Sequence, residues 1–419
     1  MSAAHDLAAR RPRHRYDVAI VGARVAGAAT ARLLARSGLD VLLVDRARPG
    51  RDTLSTHALM RAGVAQLSRW GLLARVVAAG TPPVRQVTFR YGDEQVTVPV
   101  QPSPGVDALY APRRTVLDAI LAEAAVGAGA DLHHETGLTG LQRDDGGRVT
   151  GLVVSPRSGG PVTVSARLVI GADGIRSSVA DLVGAPFERR GRAASAVTYG
   201  YWRGLDIDGY EWNFRPRAAS GVIPTNDGAA NVFVSAPPAR IGRGDAATYR
   251  ALLAESSPSL AERLGPAEPA SPLRTFTGRP GHVRRAHGPG WALVGDAGYF
   301  KDPLSAHGIT DALRDAELLA RAVIGVLLDG HDERPALAAY QAQRDELSAE
   351  LFEVTDVIAG HGWTDAEIGP LLKRLSTSMA AELAVIEALG APAGGPDSTA
   401  LVDSRRSVVV GVGQDRVRG

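Results

Sequence analysis

The 419-residue chain has no cysteine and only two lysines, Lys301 and Lys373. Without cysteine there is no disulfide, no thiolate nucleophile and no thiolate metal centre. A reducing compartment is compatible with that composition, and a cytoplasmic location is expected. Net charge is also scarce: +2 over the whole chain gives no electrostatic case for binding nucleic acid or a membrane surface. No apolar run approaches the roughly 18 residues of a membrane span. The paired arginines of "ARRPRHR" (residues 9–15) read as a solvated tail rather than an export signal. The histidine pairs His133/His134 and His282/His287 lack ligand spacing with acids on a common face, so no metal is expected.

What is present is a hydrophobic fraction of 45%, enough for one large core or two linked ones. "YDVAIV", "AGAATARLLARSG" and "DVLLVD" read as strand, helix and strand over residues 16–45. A helical stretch is expected from Ser55, with Ser55 and Thr56 as N-caps and His57 at its opening. A hairpin turns through Gly92-Asp93, and "PRRTVLDAILAEAAVGAG" is a helix with Leu117, Ile120, Leu121 and Ala124 on its apolar face. Residues 195–236 alternate aromatic and β-branched residues, which predicts an antiparallel sheet. The fold class is therefore α/β: a three-layer Rossmann-like nucleotide-binding domain, an inserted antiparallel-sheet substrate domain and C-terminal helices. The expected boundaries are a tail over 1–15, the nucleotide domain over 16–80, 110–185 and 280–330, and the substrate domain over 81–109 and 186–279. Helices follow over 331–390 and a flexible tail over 391–419.

Three separated motifs carry chemistry. The first is "GARVAG", residues 22–27, a variant of the G-x-G-x-x-G turn. Gly22 allows the tight turn, Gly27 lets helix pack on strand, and the helix N-terminus offers free N–H groups to a pyrophosphate. Asp45 ends the next strand, about 20 residues on, where an acid accepts from a ribose hydroxyl. Arg24 replaces the middle glycine; either it lies along the phosphates or it pairs with an acid or solvent. The second motif is "GADGIRSS", residues 171–178, at a strand end. In the third, "GDAGYFKDPLSAHGITDALRDAELLA" (295–320), Asp296 ends a strand and a helix begins near His307-Gly308. That aspartate suits a ligand hydroxyl, and that helix start suits developing negative charge. Asp302-Pro303 reads as a helix-start device.

Together the three stretches resemble the class A flavoprotein monooxygenases, the para-hydroxybenzoate-hydroxylase-like group, whose fold is shared with geranylgeranyl reductases and flavin-dependent halogenases. The resemblance implies FAD as cofactor. It places Gly22, Ala26, Gly27, Asp45, Arg46, Arg114, Asp173, Asp296, Gly308 and Ile309 at the cofactor, with Arg113 as the alternate to Arg114 in "RTVLD". The family pattern of the last motif has two glycines and an asparagine, where this chain has Ala306, Gly308 and Thr310. The resemblance further implies NAD(P)H as transient reductant, O₂ and a small-molecule substrate as partners, and oxygen transfer through a flavin C4a-hydroperoxide.

Four chemistries remain in competition because the flavin itself carries the redox step. Monooxygenation of a small apolar or aromatic metabolite is the expectation. A reductase or dehydrogenase is suggested by "YEWNFRP" (210–216), similar to a Y-x-W-x-F-P motif but interrupted by Arg215. Halogenation is disfavoured, since residues 46–130 hold no lysine and Lys301 sits inside the flavin motif. A non-catalytic flavin-binding role is the fourth reading. His307 and His57 are the candidate catalytic residues, as proton donors beside the flavin ring. Their alternatives are a loop histidine acting through its main chain and a capping or packing residue. Trp212, Phe214 and Phe233, with Trp202, are the candidate substrate-pocket walls, or else ordinary core.

Overall fold

A computed structural model of the chain describes residues 11–390. Residues 1–10 of the expected N-terminal tail (1–15) and the expected tail over 391–419 lie outside the described residues. Arg15, assigned to the tail, instead begins the first strand and pairs with Ser165.

The first layer grows from β1 (Arg15–Val21), α1 (Val25–Arg36) and β2 (Val41–Val44). β2 is buried along its whole length, as a strand inside a parallel sheet must be. Beyond it the chain runs extended to α2 (Arg61–Arg69) and α3 (Leu73–Ala78), then forms the hairpin β3 (Gln86–Tyr91) and β4 (Glu94–Pro99). α4 (Arg114–Gly127) and β5 (Asp131–His133) follow, then the strands β6 (Thr136–Arg143), β7 (Val149–Pro156) and β8 (Val162–Gly171), and the short helix α5 (Ser178–Leu182). β8 alternates buried and exposed residues in its first half and is wholly buried in its second. The first half pairs with β7; the second enters the parallel sheet beside β1.

The middle of the chain supplies β9 (Phe187–Arg190), β10 (Ala196–Arg203), β11 (Tyr210–Arg215), β12 (Ala218–Pro224) and β13 (Ala229–Ala236). The helices α6 (Pro238–Ile241), α7 (Ala246–Ser256) and α8 (Pro258–Leu264) come next. Short strands follow: β14 (Glu268–Pro269), β15 (Arg274–Phe276), β16 (His282–Arg284), β17 (His287–Gly288), β18 (Trp291–Leu293) and β19 (Tyr299–Phe300). The long helices α9 (Gly308–Leu327), α10 (Glu333–Ala359) and α11 (Asp365–Gly390) end the described chain.

These elements form two eight-stranded sheets and a three-stranded one, β19-β16-β9. The first large sheet runs β17-β18-β8-β1-β2-β5, parallel from β18 to β5, with the β6–β7 hairpin joined through β8. Helices α1, α4 and α9 bury their apolar sides on one face, and the hairpin covers the other, giving the three layers expected. The second sheet runs β14-β10-β13-β12-β11-β3-β4, with β15 also paired to β10, and is antiparallel except where β3 meets β11. Helices α7 and α8 close its outer face. Its inner face packs on α10, α11 and the loop before α9.

The helix expected from Ser55 starts only at Arg61, with Met60 as its N-cap. Residues 55–60 form an irregular, non-helical segment instead. Leu59 bridges Tyr110, Met60 N–H donates to Thr310 Oγ1 at 3.2 Å, and His57 takes φ = +70°. Ser55 and Thr56 therefore cap nothing. Asp302 does start a turn, with its carboxylate accepting from Leu304 N–H (3.0 Å) and Ser195 N–H (2.7 Å), which ties the loop before α9 to the second sheet.

Ala306 sits in the left-handed region, φ = +50°, where a Cβ is strained. Ala306→Gly is expected to raise stability by up to about 1 kcal/mol, read by denaturant unfolding. A clear loss would show that the Ala306 methyl contributes more by packing than it costs in strain.

Candidate functional site

The three motifs meet around the first turn. Gly22 has φ = +105°, and a Cβ there would strike the carbonyl of Ala172 in the second motif. A Cβ on Gly295, in the third, would stand 2.8 Å from the Cβ of Ala26. Both contacts require bare backbone, and together they bring the ends of β1, β8 and β18 to the start of α1. Arg24 and His307 are the N-caps of α1 and α9, and neither gives a side-chain cap. The first-turn N–H groups at Ala26, Gly27, Gly308 and Ile309 thus have no partner within their helices. Gly308 opens onto free space.

Charged side chains line the same groove. Asp45 follows β2 directly, and its two oxygens accept from Ala23 N–H (2.8 Å) and Ala47 N–H (2.7 Å), leaving further lone pairs. Arg24 donates to Thr53 Oγ1 at 2.6 Å and pairs with no acid among the described residues. Burial and then the neighbouring Arg114 charge lower its pKa, as expected of two guanidinium groups sharing an anion site. Arg114 is held bidentate by Asp118 at 2.9 and 3.1 Å. Its charge also acts on His57 and Asp296, so the first and third motifs both lie near this guanidinium. Asp296 lies in a turn three residues past β18 rather than at its end. Its carboxylate accepts no hydrogen bond from any described residue, and desolvation pushes it up to about 6. Arg46 reaches the rim of an open depression of about 510 Å³ that it lines with Arg48, Arg51, Arg157 and Glu135.

Asp173 has another occupation. Its carboxylate accepts from Ser177 Oγ (2.5 Å), Ser178 N–H (2.6 Å) and Val179 N–H (3.2 Å), and so caps α5. Only its main chain, against Gly22, belongs to the site.

These groups fit FAD. Two open helix starts and the Arg24/Arg114 pair suit the diphosphate, Asp45 a ribose, and the unpartnered Asp296 a ribityl hydroxyl. Such a groove defines a flavoprotein of the oxidoreductase class. The chain belongs to the family described as FAD binding domain, which it matches over residues 15–355, and it is an FAD-dependent oxidoreductase. It is 29% identical over 325 residues to a menaquinone reductase of Mycolicibacterium smegmatis, covering 73% of this chain and 76% of that one. It is 28% identical over 334 residues to the 3-demethoxyubiquinol 3-hydroxylase of Escherichia coli, covering 77% and 82%. The flavin-dependent brominase Bmp2 superposes with a TM-score of 0.74 at 19% identity over 90% of this chain and 99% of that one, a likeness of fold.

Beside the groove stands the inner face of the second sheet. Its cross-strand rows read Tyr210–Ile223–Asn231–Tyr201 and Trp212–Gly221–Phe233–Tyr199. Leu304, Ala306 and Ala58 pack on this face. Trp212 and Phe233 pair at 5.5 Å between rings, whereas Phe214 stands one row further off against Trp363 at 6.0 Å. Trp202 is on the outer face, stacked on Tyr249 at 6.3 Å, so it is no wall of this space. His57 reaches the face with Nε2 at the Tyr201 hydroxyl, and Arg113 covers the Tyr201 ring at 4.1 Å. Burial first, then Arg114, Arg113 and Arg274, drive the His57 pKa well down, so the ring is neutral. Tyr199, Tyr201 and Asn231 were not singled out in the sequence, although strand alternation alone puts them with Trp212 and Phe233.

His307 departs furthest from expectation. Its ring is 1% exposed and pairs with Glu382 of α11, behind the helix start rather than facing the groove. Around it Lys301 pairs with Asp311, and Arg314 bonds Asp311 (3.1 Å), Asp315 (2.8 Å) and Glu382 (2.9 Å). This corrects the proton-donor role: the ring is enclosed in a structural network. Lys301 is spent there too, its pKa lowered to about 7 by burial. His307, Asp311 and Glu382 bring ligand atoms within 4.8 Å of one another, but Lys301 and Arg314 already neutralise the carboxylates a metal would need.

Two outcomes are expected. The folded-state pKa of Asp296 is raised, so its stability contribution is complete below about pH 4 and is lost as pH rises through about 6. A hydroxyl donor favours the ionised carboxylate, so FAD affinity should tighten up to about tenfold from about pH 5 to about pH 7. Asp296→Asn should flatten that profile; an equal slope in the variant, by equilibrium dialysis, would reject the assignment. Glu382→Ala leaves Arg314 and His307 without their shared acid and should cost about 3–5 kcal/mol in denaturant unfolding. A cost below about 1 kcal/mol would mean that the network does not anchor α11.

Proposed function

We propose that this oxidoreductase is a monooxygenase. It would take electrons from NAD(P)H and use O₂ to hydroxylate or epoxidise a small apolar or aromatic metabolite. The observation that carries this reading is the buried aromatic face of Tyr199, Tyr201, Trp212 and Phe233 beside the loop that opens α9. Bound FAD supplies the two-electron redox step between nicotinamide and oxygen. The chain's own work is to hold a flat apolar substrate against that face and keep water out. Gly308 and Ile309 offer main-chain N–H groups where negative charge gathers. Neutral His57, joined to the Tyr201 hydroxyl, holds a proton at the margin of the same space. The arginine-rich depression at Arg46, Arg48 and Arg51 supports approach of a phosphate-bearing dinucleotide.

A second reading, reduction of an apolar substrate without oxygen transfer, is supported by the likeness to the menaquinone reductase. The two separate cleanly in one experiment. The flavin-loaded protein is given NADPH or NADH, isotopically labelled dioxygen and a panel of phenols, naphthols and alkenyl-substituted naphthoquinones, and products are read by mass. A product that gains one labelled oxygen is expected. NADPH oxidation with a substrate gaining two hydrogens and no label would favour the reductase reading instead.

A further inference from the structure

We propose that Asn231 is the substrate's polar anchor, and that the substrate is an aromatic ring carrying a hydrogen-bond donor and acceptor side by side, as in a catechol. Asn231 is 0% exposed, and neither its Nδ2 nor its Oδ1 has a hydrogen-bond partner among the described residues. A buried amide left in that state is destabilising, and replacing it with an apolar group of the same shape would cost nothing. Its surroundings offer no relief. Cross-strand it faces Ile223 on one side and Tyr201 on the other, and the Tyr201 hydroxyl is already met by His57 Nε2. His57 Nδ1, on the far side of the same tyrosine, is likewise buried and unpartnered. Asn213 also lacks a partner, but it lies on the opposite face. Ser220, itself unpartnered, is directly across from it, so that pair can satisfy one another.

The position matches the chemistry. Asn231 shares its row with Tyr201, which joins the sheet to His57, and the Arg114 charge acts on both His57 and Asp296. Tyr201 also lies under Arg113, the N-cap of α4, so the amide stands in the row that meets His57 and Arg113, with Trp212 and Phe233 in the next row to carry the ring. An amide presents one donor and one acceptor along a single edge. Two neighbouring oxygens, one donating to Oδ1 and one accepting from Nδ2, complete it. A plain hydrocarbon ring leaves both atoms unpaired, so the site would discriminate by the absence of a partner as well as by its presence.

This inference rests on the reading of the aromatic face as the substrate wall, and the test separates the two. Catechol and ortho-xylene, equal in shape, are titrated into the FAD-loaded protein, and binding is read from the visible absorption of the flavin. The wild type is expected to favour catechol by about tenfold or more. Asn231→Leu is expected to abolish that preference and to raise the melting temperature of the ligand-free protein, since the unpaired amide is gone. A catechol preference that survives in Asn231→Leu overturns the anchor while leaving the aromatic wall intact. A flavin spectrum that answers to neither compound in the wild type overturns both. Should Asn231→Leu fail to retain FAD, Asn231→Ala, which cannot overfill the row, gives the same comparison.

Discussion

The site depends on one packing constraint: bare glycine backbone must meet its neighbours where β1, β8 and β18 end. Gly22 lies on the carbonyl of Ala172, and Gly295 lies on Ala26. Any side chain at either glycine would wedge the three strand ends apart. It would also separate the helix starts that a diphosphate and a flavin ring need together. The strand register explains why three distant pieces of chain arrive at one place. Val21 pairs with Gly171, and Leu293 pairs with the same Gly171 from the other side. Substituting Arg24 for the usual middle glycine does no harm here, because its side chain leaves the turn toward Thr53 and lends a charge instead of an obstruction.

A second constraint holds that geometry from behind. Arg314 is fully enclosed and meets three carboxylates, one of them from α11. Burying so many charges is expensive, and the arrangement persists only because nearly every group is matched. Its effect is positional. The loop from Lys301 to His307 is fastened below to Asp311 and Glu382 and above, through Asp302, to Ser195 of the second sheet. The opening of α9 is thus clamped between two bodies that the sequence separates widely.

Much of this was legible in the chain and some was not, for reasons that differ by residue. The turn at Gly22, the acid Asp45, Arg114 and the open start of α9 are local features, fixed by residues within a few positions of one another. His307 misled because its partner lies 75 residues downstream, beyond any local pattern. His57 misled because a bridge to Tyr110 and a bond to Thr310 override the helical preference of residues 55–60. Two further features had signals available. An Asp four residues before a Ser at a helix start, as in Asp173 and Ser177, is a capping arrangement. Trp202 differs in parity from Tyr199 and Tyr201 and so had to face the other way.

Parity also explains the polar residue that stands on the aromatic face. A strand cannot turn one side chain aside without moving its neighbours, so Asn231 points inward with Phe233 and Ser235 as a matter of geometry. The choice left to the sequence was the residue type. Val232 and Val234, between them, face the apolar layer under α7 and α8, and both are aliphatic as that layer requires. On the inner face the chain has asparagine and serine. Ser235 finds His361 at 3.4 Å, and Asn231 finds no partner among the described residues. An apolar residue there would serve the fold better, so what holds asparagine in place is sought outside the fold. The cofactor groove next to it is where a partner would come from.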